Sequence, residues 1–477
     1  MKKLATLTII SGLLFAVACK QEIKKPMIEA PQPTKLAYSP TDLEHAIIYE
    51  ANIRQYSTEG TFEAFTKDIP ELKELGVKVI WLMPVYPISQ KNRKATGDKM
   101  AHQIEDPEER AKYLGSYYAI ADYTGINPEF GSLEDFRNLV RTAHDNGMYV
   151  ILDWVANHTG WDHHWLEEHP EFYTRNAEGN ITDPLNHEGE PHGWDDVADL
   201  DYSNTQLREA MIMEMEYWVK EEGIDGFRCD VAAEVPVDFW QDAIPRLQAQ
   251  RPLIFLGELW EPQYMGEGLF DMAYGWDGHH TMNAIAKGEK NVHDWRSYMA
   301  LVAERYQSKD ILMNFVTNHD ENSWNGTVGE RMGPAKDAFM ALSYCMDGMP
   351  LVYSGLEYNL DHRMKFFEKD SIPKVKADNW ELLKQLGQFK TNHPALRGGK
   401  QPATYTDLLP DHQQVLIFER EYNGAKLIYL ANLSKDSITL NWQVPNGWQQ
   451  LLGNADLPKP DPDSYELAPW EYHILSN

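Results

Sequence analysis

The chain is poor in cysteine and in basic residues, and each shortage excludes a class of protein. Only 3 of its 477 residues are cysteine, and no CxxC or Cys/His cluster has the spacing of a zinc site. Its 44 Lys and Arg residues face 73 Asp and Glu residues, so the formal net charge is −29. An acidic chain of this kind is a poor partner for nucleic acid or for an anionic membrane surface.

The apolar run at the start of the chain is too short to span a membrane. Residues 4–18 read LATLTIISGLLFAVA, follow Lys2 and Lys3, and end in small residues. This pattern is typical of an export signal. Such a signal predicts that residues 1–18 are a signal peptide.

The residues around the end of that run add a lipid anchor to the prediction. The segment AVAC at 16–19 resembles a bacterial lipobox, in which Cys19 would be lipid-modified and become the new N-terminus. A plain secretory signal with an incidental cysteine is the alternative. Residues 19–40 are polar and contain proline, so they are predicted to be a tether. The other two cysteines, Cys229 and Cys345, are predicted to be buried free thiols.

Most of the chain alternates apolar, strand-like runs with amphipathic, helix-like stretches. Eight β-then-α units imply parallel strands with right-handed crossovers. This pattern alone allows either a closed barrel or an open doubly wound sheet. The eight candidate strands lie at 46–56, 77–85, 148–155, 224–231, 252–259, 270–276, 311–319 and 350–358.

Three carboxylates stand at or near the ends of three of these runs. They are Asp230 in GFRCD, Glu258 in FLGELW and Asp320 in FVTNHD, and a fourth run ends in DWVANH at 153–158. Bonds between sugars are usually cleaved by a pair of carboxyl groups. A (β/α)8 barrel keeps its chemistry at the C-terminal ends of its strands.

With these four motifs in this order, the sequence resembles the α-amylase family, glycoside hydrolase family thirteen. Three further segments are similar to the family's second strand, eighth strand and small second domain: GVKVIWLMPVYP (76–87), GMPLVYSGLEY (348–358) and VADLDY (197–202). The resemblance covers roughly residues 40–477 and favours the closed barrel over the open sheet. It implies an α/β fold, a (β/α)8 TIM barrel with a short inserted domain after strand three and a C-terminal antiparallel β-sandwich.

The same resemblance divides the chain into domains. The catalytic barrel is expected over 41–394, with the short inserted domain at 159–201, where the helical pattern fails. Residues 395–477 alternate with the period of two that is typical of antiparallel strands, which favours the β-sandwich. The insertion and the long excursion at 86–116 are expected to overhang the mouth of the barrel.

The resemblance implies a retaining mechanism with three acids in separate roles. Asp230 would be the nucleophile, Glu258 the general acid and base, and Asp320 a carboxylate that grips sugar hydroxyls and stabilises the transition state. The pKa of Glu258 is expected to be raised by burial among apolar neighbours and by nearby negative charge. Those apolar neighbours are Leu256, Leu259 and Trp260.

Five more residues match the family's substrate-binding positions. Tyr118 would stack beneath the sugar at the cleavage point, and His158 and His319 would hydrogen-bond it. Arg228 would keep Asp230 ionised by charge pairing. Asp153 matches the aspartate of the family's first motif and is expected to organise the site.

A structural Ca²⁺ is the only cofactor that the resemblance raises. Asn157 and Asp199 match two calcium-binding positions of many α-amylases, and oxygen ligands suit that ion. However, Ala233 and Glu234 stand where the family often has a Lys-His pair that contacts substrate and calcium, which leaves the calcium site open. Glu at that place is similar to the neopullulanase and cyclomaltodextrinase branch.

The function implied is that of an exported α-glucan hydrolase that cleaves α-1,4 bonds of starch or maltodextrins. A neopullulanase or cyclomaltodextrinase, or an α-glucosidase or transglycosylase, would use the same residues. A non-catalytic glucan-binding lipoprotein is the alternative from another class, and the presence of all three acids argues against it. The expected partner is an α-glucan, with no organic cofactor, no nucleic acid and contact with a bacterial membrane, on its periplasmic or cell-surface face, through the lipid anchor only. A monomer is expected.

Overall fold

The structure is a computed structural model, and it describes residues 36, 38–96, 99–186, 189–457 and 464–477. The predicted signal peptide, Cys19 and most of the predicted tether lie outside the described residues, so they stay predictions. Within the described ranges, every helix is too short or too polar to cross a membrane.

Eight parallel strands close into a barrel, which confirms the predicted fold class. Each of the eight strand-like runs overlaps one barrel strand, and strands that follow each other in the chain are neighbours in space. The eighth strand pairs with the first, with Ile48 opposite Leu351. In chain order the first to eighth barrel strands are Ile48–Ala51, Val79–Leu82, Tyr149–Trp154, Gly226–Cys229, Ile254–Gly257, Met272–Tyr274, Ile311–Asn314 and Met349–Tyr353.

The α-helices follow the strands, with one exception. After the fifth strand, the described residues 258–271 form only the 3-10 turn Pro262–Tyr264, because Pro262, Gly266 and Gly268 interrupt any helical pattern there. The α-helices are Ile53–Tyr56, Phe62–Thr66, Ile69–Leu72, Pro107–Arg110, Leu133–Asp145, Trp165–Glu168, Thr205–Tyr217, Val237–Gln248, Trp276–Lys287, Val292–Arg305, Val328–Met332, Lys336–Cys345 and Asp378–Asn392.

The helix Leu133–Asp145 illustrates how the sequence sets these elements. Ser132 accepts a hydrogen bond from the N–H of Asp135, and the Asp135 carboxylate accepts one from the Ser132 N–H. This reciprocal pair satisfies N–H groups that a helix start leaves free. The apolar residues recur at helical spacing and are buried against the barrel. Gly147, with φ of 80°, follows the end of the helix as a left-handed terminator.

Alternation along the strands decides which side chains enter the barrel. Ile48 belongs to the inner core, and Glu50, two residues later, points the same way because side chains alternate with a period of two. By the same rule, Asp153 on the third strand and Arg228 and Asp230 on and just after the fourth strand also point into the barrel. Polar residues therefore meet above the apolar inner core, at the C-terminal end of the barrel.

The fourth and fifth strands approach each other closely at Gly226. Its φ is +153°, and a Cβ at this position would lie 1.9 Å from the carbonyl oxygen of Ile254. Only glycine fits this contact without a backbone shift. The close approach fixes the register that places Arg228 beside the fifth strand.

Two small antiparallel ladders belong to the loops over the barrel mouth. His158–Gly160 pairs with Val197–Asp199 in the insertion after the third strand, and Lys94–Ala95 pairs with Lys99–Met100 after the second. The side chains of both loops reach the cavity described below.

The C-terminal part is a sandwich of two antiparallel sheets, as predicted. Its buried cluster joins both sheets, for example Ile417 and Ile428 with Leu440 and Leu467. The five-stranded sheet has the order Thr404–Asp407, Val415–Tyr422, Ala425–Asn432, Tyr472–Ser476 and Gln449–Gly453, and the smaller one pairs Ile438–Leu440 with Tyr465–Leu467. The division at residues 394 and 395 stays a prediction.

Cys229 and Cys345 are both buried and free, as predicted. Burial raises the pKa of both thiols, so neither is a nucleophile at neutral pH.

Candidate active site

One guanidinium organises the carboxylates at the barrel mouth. Arg228 is fully buried, and its Nη1 donates to Asp153 Oδ1 at 2.7 Å and to Asp230 Oδ1 at 3.0 Å. Its Nη2 donates to Glu258 Oε2 at 2.5 Å. The third, fourth and fifth barrel strands thus deliver three carboxyl groups to a single positive charge.

A single cation compensates the charge of three carboxylates only in part, so ionising all three costs free energy. Burial raises the pKa of Asp230 well above its usual range; Arg228 lowers it, as expected, but the negative charges of Glu258, Asp153 and Asp320 raise it further. Arg228 therefore compensates only part of the negative charge that surrounds Asp230. The free site therefore keeps a proton at pH values where an isolated aspartate is ionised.

Glu258 lies in more polar surroundings than the sequence suggested. Besides Arg228, its carboxylate accepts a hydrogen bond from the N–H of Val231 at 3.0 Å. Val231 has φ of 35°, a strained conformation for a β-branched residue, and such strain is typical of functional sites. Trp260, expected beside the carboxyl group, instead packs against Tyr306.

His319 connects the third acid to the interior of the barrel. Its Nδ1 lies 2.5 Å from Glu50 Oε1, and its Nε2 lies 2.8 Å from the Tyr118 hydroxyl and 3.3 Å from Asp320 Oδ2. Burial lowers the pKa of His319, but the charges of Asp320 and Glu50 outweigh it and raise the pKa to about 9. The imidazole is therefore a cation at neutral pH.

Glu50 was missed at the sequence level. It stands inside the apolar run AIIYEAN and is fully buried in the structure. An acidic residue within a run that must be buried was the available signal, since a buried carboxylate needs a partner. Nothing in the sequence named that partner as His319, 269 residues away.

Tyr118 and Asp153 are hydrogen-bond partners, but only Tyr118 faces the cavity. The Tyr118 hydroxyl donates to Asp153 Oδ2 at 3.2 Å, and its ring lies against that of His319 with centroids 5.5 Å apart. Tyr118 lines the cavity, whereas Asp153 is fully buried and also accepts from Trp81 Nε1 at 3.1 Å. Asp153 therefore positions Arg228 and Tyr118, and it is not among the residues that line this cavity.

His158 lines the cavity from the insertion side. Burial lowers its pKa to about 3, and the charge of His192 lowers it further, so the ring is neutral at physiological pH. The ring lies edge-on to Trp194 with centroids 6.0 Å apart. The two histidines of the site therefore differ in charge, since His319 is a cation.

A cavity of about 750 Å³ opens above these groups. It brings together Asp230, Glu258 and Asp320 with Tyr118, His158 and His319. Its walls come from the excursion after the second strand, the insertion after the third, and the loops after the seventh and eighth. A concave site with convergent carboxyl groups of perturbed pKa is the arrangement expected of an active site.

The two residues matched to calcium are neighbours, with Asn157 just before the insertion and Asp199 within it. The N–H of Leu200 donates to the carbonyl of Asn157, next to Asp199. Burial raises the pKa of Asp199 to about 7, and the charges of Asp201, Asp183 and Glu234 contribute. Calcium takes six to eight oxygen ligands, and the described ranges hold no group of three His, Cys, Asp or Glu side chains placed for a metal. These two side chains do not make a calcium site by themselves, and calcium stays a prediction.

Comparison with known proteins identifies the family. A model of the α-amylase catalytic domain matches residues 41–399. The chain belongs to the α-amylase family. The four motifs that carried the resemblance all lie within the matched range, so the predicted family is confirmed.

Solved α-amylase structures share the whole architecture. A crystal structure of an α-amylase from Lactobacillus plantarum superposes with a TM-score of 0.77 at 27% identity, covering 92% of this chain and 100% of that one. A noncanonic maltogenic α-amylase from Thermotoga neapolitana superposes with a TM-score of 0.73 at 28% identity, covering 91% and 97%.

Curated relatives of this α-amylase-family chain include transferases. An α-1,4-glucan:maltose-1-phosphate maltosyltransferase of Rhodospirillum rubrum is 29% identical over 455 residues, which cover 90% of this chain and 62% of the relative. α-Amylase 3 of Dictyoglomus thermophilum is 26% identical over 247 residues, covering 46% and 44%. The matched part of the chain spans about three fifths of the length of the Rhodospirillum rubrum relative and less than half of the length of the Dictyoglomus thermophilum relative.

Proposed function

We propose that this chain hydrolyses α-1,4-glucosidic bonds of starch or maltodextrins with retention of configuration. One observation carries the proposal: Asp230 and Glu258 lie on the two terminal nitrogens of the Arg228 guanidinium, at the base of a cavity that also holds Asp320. Retaining glycosidases need two carboxyl groups close together, one to attack and one to move a proton.

In the first step, Asp230 attacks the anomeric carbon of the bound sugar. The bond from that carbon to the leaving oxygen breaks as the bond to an Asp230 carboxylate oxygen forms. Glu258 gives its proton to the leaving oxygen, and the shortened chain departs with its new hydroxyl group. Asp320 and the His319 cation bind hydroxyls of the same sugar, where hydrogen bonds that strengthen in the transition state lower the barrier.

In the second step, a water molecule displaces Asp230 from the anomeric carbon. Glu258, now ionised, takes a proton from the water while the water oxygen bonds to the anomeric carbon. The bond to Asp230 breaks and its carboxylate is restored. Two inversions leave the product with the configuration of the substrate.

A glycosyl transferase that uses a phosphate acceptor or a sugar phosphate is the second candidate, favoured by the name of the relative from Rhodospirillum rubrum. A phosphate group needs unneutralised donors. Each Lys or Arg among the described residues that line the cavity has a carboxylate partner, which favours a neutral glucan instead. The pairs are Lys94–Asp195 at 3.0 Å, Arg363–Glu330 at 2.9 Å and Lys365–Glu368 at 3.1 Å.

One experiment distinguishes a hydrolase from a transferase by the products that form and by their dependence on phosphate. Purified protein is incubated with starch, maltoheptaose, pullulan and β-cyclodextrin, with and without inorganic phosphate, and the products are separated over time. New reducing ends without phosphate support hydrolysis. Products that form only with phosphate, or chains that only lengthen and shorten without new reducing ends, would make the protein a transferase.

The same product profile separates the hydrolases from one another. Intermediate maltooligosaccharides from starch support an α-amylase, and panose or early ring opening of cyclodextrin indicates a neopullulanase-like enzyme. Glucose released one unit at a time indicates an α-glucosidase. No product from any α-glucan would favour a non-catalytic binding protein.

We also propose export and a lipid anchor at Cys19, on the strength of the AVAC segment and the preceding apolar run. Cys19→Ala in the full chain should move the protein from the membrane fraction to the soluble fraction of the exported material. Membrane association that survives the substitution would contradict the anchor.

A further inference from the structure

An exposed tryptophan stands at the edge of the catalytic cavity. Among the described residues, three large apolar side chains are more than half exposed: Met213, Trp324 and Val375. Trp324 alone of these is aromatic and lines the cavity, four residues after Asp320. An exposed large apolar surface beside a binding cavity is a common mark of a ligand contact.

Trp324 extends an aromatic surface that begins at Tyr118. The Tyr118 and Phe366 rings are nearly parallel, at 11°, with centroids 6.5 Å apart. The ring centroid of Trp324 lies 5.0 Å from that of Phe366 and 5.9 Å from that of Phe367. The surface therefore runs from the sugar position above the catalytic acids to the rim of the cavity.

The loop that carries Phe366 and Phe367 is fixed by hydrogen bonds to other parts of the barrel mouth. The N–H of Leu114 donates to the Phe367 carbonyl at 2.7 Å, and Gln55 Nε2 donates to the Glu368 carbonyl at 2.8 Å. Thr96 Oγ1 donates to the Glu368 carboxylate at 3.2 Å. A surface held this way is preorganised, so a ligand does not have to order it on binding.

The position of the acids tells which part of a glucan would reach this surface. Glu258 protonates the leaving oxygen, so the leaving part of the chain lies on the side of Glu258. The aromatic surface starts instead at Tyr118, which contacts His319 beside Asp320. It therefore continues along the donor part of the substrate, the part that is transferred to Asp230.

We propose that Trp324, supported by Phe366 and Phe367, is a stacking platform for a glucosyl unit on the donor side, beyond the unit that is cleaved. The apolar CH face of a pyranose ring covers the exposed indole, and water leaves both surfaces. The platform makes the enzyme prefer chains with several donor units. This inference rests on the proposed function and deepens it by naming a substrate-selecting residue.

The test compares Trp324→Ala with wild type on substrates of increasing length. On maltoheptaose, KM should rise roughly tenfold, the effect of about 1.4 kcal/mol of lost contact. On maltotriose, which can bind with a single donor unit, kcat/KM should fall less. Trp324→Phe should restore most of the loss. Met213→Ala, which removes another exposed apolar side chain away from the cavity, is the matched control and should behave as wild type.

A labelled substrate checks the side on which the platform acts. With maltoheptaose labelled at its reducing end, Trp324→Ala should cut nearer the non-reducing end and give longer labelled products, because fewer donor units are then favoured. Equal loss on all chain lengths, an unchanged cleavage pattern, or a shift toward shorter labelled products would overturn the platform. Wild-type protein that cleaves no α-glucan would instead overturn the proposed function.

Discussion

Glu50 and His319 form a buried ion pair that links the first barrel strand to Asp320. Glu50 Oε1 lies 2.5 Å from Nδ1 of His319, and the other ring nitrogen faces Asp320 and Tyr118. Both side chains are at most 2% exposed. Glu50 therefore fixes the orientation of the imidazole and supplies charge that keeps it protonated, without itself lining the cavity.

Removing the charge of Glu50 should change the pH dependence of the enzyme. The pKa of His319 is raised to about 9, so the cation persists through neutral pH and is lost as the pH rises through 9. In Glu50→Gln the pKa of His319 should fall, because the charge and hydrogen bond of Glu50 no longer offset burial and only Asp320 still raises it. The alkaline limb of kcat/KM should move to lower pH, measured on maltoheptaose from pH 5 to 10.

A buried glutamate elsewhere in the barrel separates this effect from a loss of stability. Glu357 is also fully buried and binds the Tyr49 hydroxyl at 2.5 Å. Glu357→Gln should leave the alkaline limb in place even if it lowers the melting temperature. An alkaline limb that is identical in wild type and Glu50→Gln would show that Glu50 does not act through the charge of His319.

The three acids should be required for turnover and not for folding. Asp230→Asn, Glu258→Gln and Asp320→Asn should each lower kcat by roughly 10³-fold or more, the scale seen when groups that act together in catalysis are removed. Circular dichroism should be unchanged, because Asn and Gln keep the size and shape of the Asp and Glu side chains they replace. Asp238→Asn, on the outside of the barrel, is the control that should keep full activity. Near wild-type turnover in any of the three would withdraw the role given to that residue.

Asp199 provides a test of calcium through stability. Its pKa in the folded protein is about 7, above the value near 3.9 of an unfolded chain. The folded state therefore holds a proton that the unfolded state releases, and stability falls as the pH rises from about 4 to 7. In the absence of a metal, Asp199→Asn should raise the melting temperature at pH 7.5 and have no effect near pH 4.

Calcium would reverse the sign of that effect. If the ion binds at Asn157 and Asp199, the substitution should lower the melting temperature at pH 7.5, and a strong chelator should lower that of the wild type. Elemental analysis of the purified protein provides an independent check of the metal content.

The sequence, together with its resemblance to a known family, was sufficient for the barrel and for six of the residues that line the cavity at its mouth. Local motifs placed Asp230, Glu258 and Asp320 at the ends of strands, and strand alternation brings such ends together. The shared use of Arg228 could not be predicted, because it depends on the register of three strands that the motifs do not specify.

Proton NMR of the first product tests the mechanism most directly. Wild-type protein is added to maltopentaose at high concentration, and the anomeric signals of the new reducing ends are followed before mutarotation mixes them. The arrangement of Asp230 and Glu258 around Arg228 predicts that the α-anomer appears first, as two inversions require. First appearance of the β-anomer would mean a single inversion by water, which contradicts the covalent step assigned to Asp230.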